Sequence, residues 1–170
     1  MAVYQRITSN VEHPQQRLAL ICIDASEHSL RAFEFYYYNV HHEGDAVGLV
    51  HIHTVPDAPS LGLFGGGRAA LKVYLSNVED SVDSSKAVIE KFKHLCSEKG
   101  INPKTFVQSM QDSIGHSICQ IAMKEKATHI IIGQRGLGMF RRNLLGSVSD
   151  YVIHHSNIPV TIVTNPKNLK

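Results

Sequence analysis

Short apolar runs and longer amphipathic stretches alternate along the chain. Five runs rich in β-branched residues read as strands: Arg17 to Asp24, Ala46 to Val55, Lys104 to Ser109, Thr128 to Gly133 and Ile158 to Thr164. The first, RLALICID, is almost continuously apolar, as a central strand covered on both faces must be. Between the runs the apolar period changes to that of a helix. Leu30, Phe33 and Tyr37 recur three and four apart within Ser26 to His41, and Ser26 stands where an N-cap belongs. Leu71 to Lys99 carries Leu75, Val78, Val82, Ile89, Phe92 and Cys96 at spacings of three, four or seven and stops at Gly100, which predicts a long core-facing helix with a glycine stop. Ile114, Ile118, Ile121 and Ala122 mark a third helix after Asp112, and Val148, Tyr151 and Val152 a short fourth. Strand and helix alternate from end to end, so the pattern predicts an α/β fold with a parallel sheet.

One connection breaks the rhythm. Pro56 to Arg68 (PDAPSLGLFGGGR) is longer than the few residues that usually join strand to helix, and reads as either a functional lid or a surface loop. Residues 1–16 and 166–170 are polar and are expected to be a flexible extension and tail around one domain over 17–165. At 170 residues, 43% apolar and 19% charged, the chain is long enough to bury a core without staples. Apolar runs such as Leu18 to Ile23 stop at six residues, against the roughly 20 that a membrane span needs. Met1 to Asn10 lacks the apolar segment and cleavage site of a secretory signal, so a cytoplasmic location is expected. Cys22, Cys96 and Cys119 are widely spaced within apolar segments and read as reduced packing thiols. A formal charge of +2 is too small for a nucleic-acid binder.

Two glycine patterns fail a chemical check. Gly62 and Gly67 have P-loop spacing, but Arg68 and Ala69 follow where lysine and a hydroxyl residue are needed. Gly136 and Gly138 lack the third glycine of a dinucleotide fingerprint. The stretch Gly133 to Ser149 (GQRGLGMFRRNLLGSVS) is different. It starts at the end of a strand; Gly133 and Gly136 permit a sharp turn and close approach of a ligand. Gly146 then opens a helix whose Ser147, Val148 and Ser149 offer unpaired N–H groups and two hydroxyls, a combination that suits phosphate. Arg135, Arg141 and Arg142 in the same loop would add charge-assisted contacts. On composition alone, a glycine-containing surface loop with solvated arginines fits equally well. The eleven histidines show no metal pattern: His51 and His53 share one strand face without a visible third ligand, and His41-His42 and His154-His155 fall at helix ends. Of Tyr36, Tyr37 and Tyr38, at least one must face outward from a helix.

The spacing of Gly133, Gly136 and Gly146-Ser147 resembles the G-x2-G-x9-G-S/T motif of ATP-binding universal stress proteins. ICIDASEHS, ending at Ser29, resembles that family's opening strand with its Asp-x-Ser; LVHIHTV, residues 49–55, resembles its second strand; IPVTIV, residues 158–163, its last. The resemblance covers about Arg17 to Thr164. It implies an adenine-nucleotide α-hydrolase-like fold: one five-stranded parallel sheet of order 3-2-1-4-5 with helices on both faces, in homodimers joined through the last strand. The strand order reverses between strands one and four, so a ligand is expected outside their carboxyl ends. By resemblance Ile23, Asp24 and Ala25 meet the adenosine, Ile52 the adenine, and Gly133, Gly136, Gly146, Ser147, Val148 and Ser149 the ribose and phosphates. Arg135, Arg141 and Arg142 are added on electrostatic grounds only. The expected function is an ATP-binding stress-response module, with magnesium accompanying the ATP. The alternatives are a slow ATPase or nucleotidyl-transferring enzyme, for which Asp24 is the candidate base or magnesium ligand, and a nucleotide-independent, chaperone-like dimer. No catalytic residue and no protein metal site is assigned.

Overall fold

The computed structural model describes residues 16–56, 58, 67–134 and 145–165. Nine elements alternate as the pattern predicts: β1 (Leu18–Cys22), α1 (Glu27–Asn39), β2 (Ala46–His53), α2 (Gly67–Glu98), β3 (Lys104–Ser109), α3 (Ile114–Lys124), β4 (His129–Gly133), α4 (Ser147–His155) and β5 (Val160–Val163). The strands form one parallel sheet in the order β3-β2-β1-β4-β5. β1 is central and buried along its whole length, whereas β3 at the edge alternates between exposed and half-buried positions. Strand ends are tighter than the apolar runs suggest, because pairing stops before apolar character does.

Alternating side chains of the inner strands feed two cores. Ala19, Ile21, Val47 and Leu49 pack under α1 and α2, where Phe33 and Phe92 meet edge to face with ring centroids 5.9 Å apart. Leu20, Val50, Ile130 and Ile132 point the other way, against Ile118 and Ile121 of α3 and Val152 of α4. Gly48 of β2 lies beneath Leu20 and Phe106, whose side chains occupy the space a Cβ would need.

The caps follow local chemistry. The Ser26 hydroxyl accepts from the Ser29 N–H at the start of α1, and the Ser113 hydroxyl accepts from His116 N–H at the start of α3. Gly100, at φ +70°, ends α2 as anticipated; the N–H groups of Lys99 and Ile101 both donate to the Cys96 carbonyl. Tyr36 is the buried member of its triplet, with its hydroxyl 3.0 Å from His41 Nδ1, and Tyr38 is 71% exposed.

Two expectations need correction. α2 is core-facing only in its second half: Val88, Phe92 and Cys96 are buried, whereas Leu75 and Val82 of the same periodic series are exposed. Periodicity reports a continuous apolar stripe, but the helix is 32 residues long and at 1.5 Å per residue overruns a sheet whose strands have eight residues or fewer. Arg68 also belongs to α2 and not to the connection before it. Most of that connection, together with 1–15 and 166–170, lies outside the described residues.

Candidate functional site

β1 and β4 are neighbours whose outgoing connections leave in opposite directions, α1 covering one face and α4 the other. The gap this creates at their carboxyl ends is a cleft of about 360 Å³, within the size range of small-molecule sites. Four groups of residues border it. Cys22, Val50, Ile52 and Ile132 close the strand ends, Ile114 and Ile118 of α3 supply an apolar side, and Asp24, Ser26, His28 and Ser29 run from the end of β1 into α1. Gly146, Ser147, Val148 and Ser149 bring in the N-terminus of α4. One end is therefore apolar and flat-walled, and the other carries the partial positive charge of a helix start.

Asp24 is held in place by its own turn. Its Oδ1 accepts from the Ser26 N–H at 2.9 Å and from the Ser26 hydroxyl, while the Ser29 hydroxyl donates to its carbonyl at 2.8 Å. The strand end behind it is anchored twice: the Ile23 N–H donates to the Val50 carbonyl, and buried His51 places Nδ1 3.0 Å from the Ile23 carbonyl. His51 thus holds the strand that bears Asp24, and His53 turns to the Ser85 hydroxyl on α2 at 2.8 Å. Among the described residues no group of three His, Cys, Asp or Glu side chains converges on a common point.

At the other side of the cleft, Gly146 is the N-cap of α4 with φ −64° and ψ 151° and supplies no side-chain cap. The first N–H groups of α4 consequently have neither an intrahelical carbonyl nor a side-chain capping oxygen among the described residues. The two hydroxyls differ. Ser149 is buried and its hydroxyl donates to the Gly146 carbonyl at 2.9 Å, whereas Ser147 is exposed and its hydroxyl has no partner among the described residues.

Gly133 has a role that the sequence reading assigned elsewhere. A Cβ at this position would collide with the backbone carbonyl of His28, so the absence of a side chain is what lets the first turn of α1 close onto β4. The close approach is made by the protein's own helix, and it sets the width of the cleft.

Ile23, Asp24, Ile52, Gly133, Gly146, Ser147, Val148 and Ser149 all line the cleft, whereas Ala25 is exposed and outside its wall. Arg135, Gly136, Arg141 and Arg142 lie outside the described residues. Sequence reasoning missed Cys22, Ser26, His28, Ser29, Val50, Ile114, Ile118 and Ile132. Ser26, His28 and Ser29 were within reach, since the first turn after the central strand must border a crevice at the switch point. Ile114 and Ile118 were not: their spacing of four is equally that of ordinary core positions. The Cys22 thiol, buried at the cleft floor, is pushed up to about 12 by burial first, with Cys119 and Asp24 adding to the effect. It is a neutral packing group and no nucleophile.

Residues 17–164 match the family model described as the universal stress protein family. The universal stress protein MJ0531 of Methanocaldococcus jannaschii is 29% identical over 165 residues, covering 97% of this chain and 91% of its own length. YxiE of Bacillus subtilis, another universal stress protein, is 23% identical over 145 residues, covering 85% and 96%. Among solved structures, the hypothetical protein MJ0577 aligns with a TM-score of 0.67 at 23% identity over 88% of this chain and 96% of its own. An Arabidopsis thaliana universal stress protein family protein, solved with AMP bound, aligns at 0.62 and 18% identity over 91% and 95%. With the strand order, the cleft at the switch point and a family match that spans all nine elements, the chain belongs to the universal stress protein family.

Proposed function

We propose that the cleft binds ATP and that the protein is a nucleotide-loaded stress-response module. The observation that carries the reading is the juxtaposition within one cleft of an apolar slot and an uncapped helix N-terminus. Ile52, Ile114 and Ile118 suit the faces of a purine, Asp24 at the end of β1 suits the ribose hydroxyls, and the α4 N–H groups with Ser147 suit phosphate oxygens. The glycine spacing from Gly133 to Gly146-Ser147 supports the same ligand, with Gly136 completing the motif. Arg135, Arg141 and Arg142 belong to the proposal as counter-charges for the phosphates. The AMP found in the Arabidopsis relative supports an adenine nucleotide in this cleft.

Magnesium would be held mainly by the phosphate oxygens, with Asp24 the carboxylate of the cleft wall placed to support it; it would neutralise phosphate charge. The same Asp24 favours binding over turnover. One of its oxygens already takes two bonds from Ser26, which fits a fixed ribose acceptor better than a base that must accept a proton. A homodimer paired along β5, an edge strand of the sheet, completes the reading.

The test exploits the missing cap. Gly146→Asp places a carboxylate where phosphate is proposed to sit and simultaneously supplies the N-cap that α4 lacks. Melting of the free protein should rise slightly, and the upward shift with saturating ATP and magnesium seen for the parent should vanish. A parent that does not shift, or a Gly146→Asp protein that shifts as much as the parent, refutes the assignment.

A further inference from the structure

The first half of α2 carries an apolar stripe with no counterpart in its own fold among the described residues. Leu71 is 45% exposed, Leu75 53% and Val82 37%, and Val78 between them is half-buried. Their spacing is four, three, four, and it continues through Ser85, Ile89, Phe92 and Cys96 as an unbroken heptad. Leu75, Val82, Ile89 and Cys96 take the a positions, and Leu71, Val78, Ser85 and Phe92 the d positions. The second half of this seam reaches the core, where Phe92 and Cys96 are fully buried. The first half has the pattern of a coiled-coil interface and, among the described residues, no partner helix.

The charges beside the stripe say what that partner is. Lys72 and Glu79 occupy successive e positions on its solvent-side flank, and among the described residues neither has an ion-pair partner. Other charges farther along the helix pair within it, Lys86 with Asp83 and Lys93 with Glu90, each at 2.9 Å. The g flank holds half-buried Tyr74 and Ser81 and carries no charge. A second copy of the helix laid antiparallel satisfies all of this in one register. Leu75 faces the partner's Val78 and Leu71 the partner's Val82, each layer occurring twice about a twofold axis. In that register Lys72 falls beside the partner's Glu79, also twice. Parallel pairing would bring Arg68 against its own copy and give Lys72 and Glu79 no opposite charge across the seam, because the g positions are uncharged.

We infer that two copies of this chain associate through an antiparallel pairing of the N-terminal halves of α2, with Leu71, Leu75, Val78 and Val82 as the seam and Lys72–Glu79 as its reciprocal charge pairs. The interface lies on α2, separate from β5 and from the nucleotide cleft, and does not depend on either proposal. If β5 also pairs, the α2 contact is a second, separate association step.

Sedimentation velocity of the full-length chain over a range of concentrations tests it. Leu75→Glu should weaken this association step at least about 100-fold, since it places two charges within the apolar seam. Lys72→Glu and Glu79→Lys should each weaken it, and the double variant carrying both should restore it. All of these sites are on the exposed half of a helix, so unchanged far-UV circular dichroism will accompany them, with an unchanged melting temperature at concentrations where the parent is dissociated. A second measurement fixes the direction: a Leu71→Cys chain mixed with a Val82→Cys chain should give a covalent dimer with a short bismaleimide and neither chain alone should, since only parallel pairing sets each cysteine against its own copy. An association step indifferent to Leu75→Glu, as expected if the stripe meets another protein or another segment of this chain, overturns the inference. So does a parent without any such step, a double charge variant as weak as the singles, or a failure of the paired cysteines to cross-link.

Discussion

Replacing Gly133 by alanine separates two explanations of the same residue. If the glycine serves only a ligand, the free protein will tolerate a methyl group there. The geometry says otherwise, because the added Cβ would overlap the carbonyl carbon and oxygen of His28, and these are backbone atoms that cannot rotate aside. Either β4 or the first turn of α1 must move. Overpacking of this kind costs about 1–3 kcal/mol, and a chain of this size loses roughly 2–4 °C of melting temperature per kcal/mol. A central cost of about 2 kcal/mol therefore predicts a fall of about 4–8 °C without nucleotide. The displacement also carries Ser26 and His28 away from Ser147 across the cleft, so nucleotide affinity should fall with stability. Differential scanning calorimetry of the free protein, followed by calorimetric titration with ATP, measures both. A Gly133→Ala protein that melts within a degree of the parent refutes the packing argument, whatever happens to binding.

Ser26→Ala removes the acceptor for the Ser29 N–H and a hydroxyl donor to the Asp24 carboxylate; loss of the cap alone costs about 1 kcal/mol, so thermal unfolding should show a lower melting temperature and titration a weaker nucleotide affinity. Stability without effect on affinity would mean that Asp24 is positioned by its strand and not by its turn. Cys22 should resist alkylation by iodoacetamide in the folded protein at pH 8, with modification mapped by mass spectrometry, because its thiol titrates near 12. An unfolded thiol ionises near its ordinary value of 9.0 while burial keeps the folded one protonated up to about 12, so stability falls as pH rises through that window. Cys22→Ala should flatten this alkaline slope in melting temperature, and an equal slope in both proteins would contradict it.

Much of the architecture was legible in the order of residues. The all-apolar β1, the Ser26 cap and the Gly100 stop each depend on contacts within a few positions, so sequence periodicity and local chemistry report them directly. The end of β1, the end of β4 and the start of α4 could be expected to meet, because the resemblance implied the strand order and a switch point follows from it; the structure brings them to one cleft. What eluded the sequence is what depends on length and distance in three dimensions. An apolar position does not say whether the sheet extends far enough to cover it, so Leu75 and Phe92 look alike until α2 is seen to outrun β2. A serine at a helix start does not say where its proton goes, so Ser147 and Ser149 separate only when the Ser149 hydroxyl is seen to turn back to Gly146.

The amino-acid order alone determined the alternation of strands and helices, the helix boundaries set by Ser26 and Gly100, and the residue types available at the switch point. Only the tertiary structure decided that a side chain at Gly133 would meet the His28 carbonyl, that Ile114 and Ile118 wall a cleft, and that half of α2 stands clear of the core. The physical reason is common to all three. Propensity and capping act between neighbours in sequence, whereas steric exclusion and burial act between atoms brought together from distant parts of the chain.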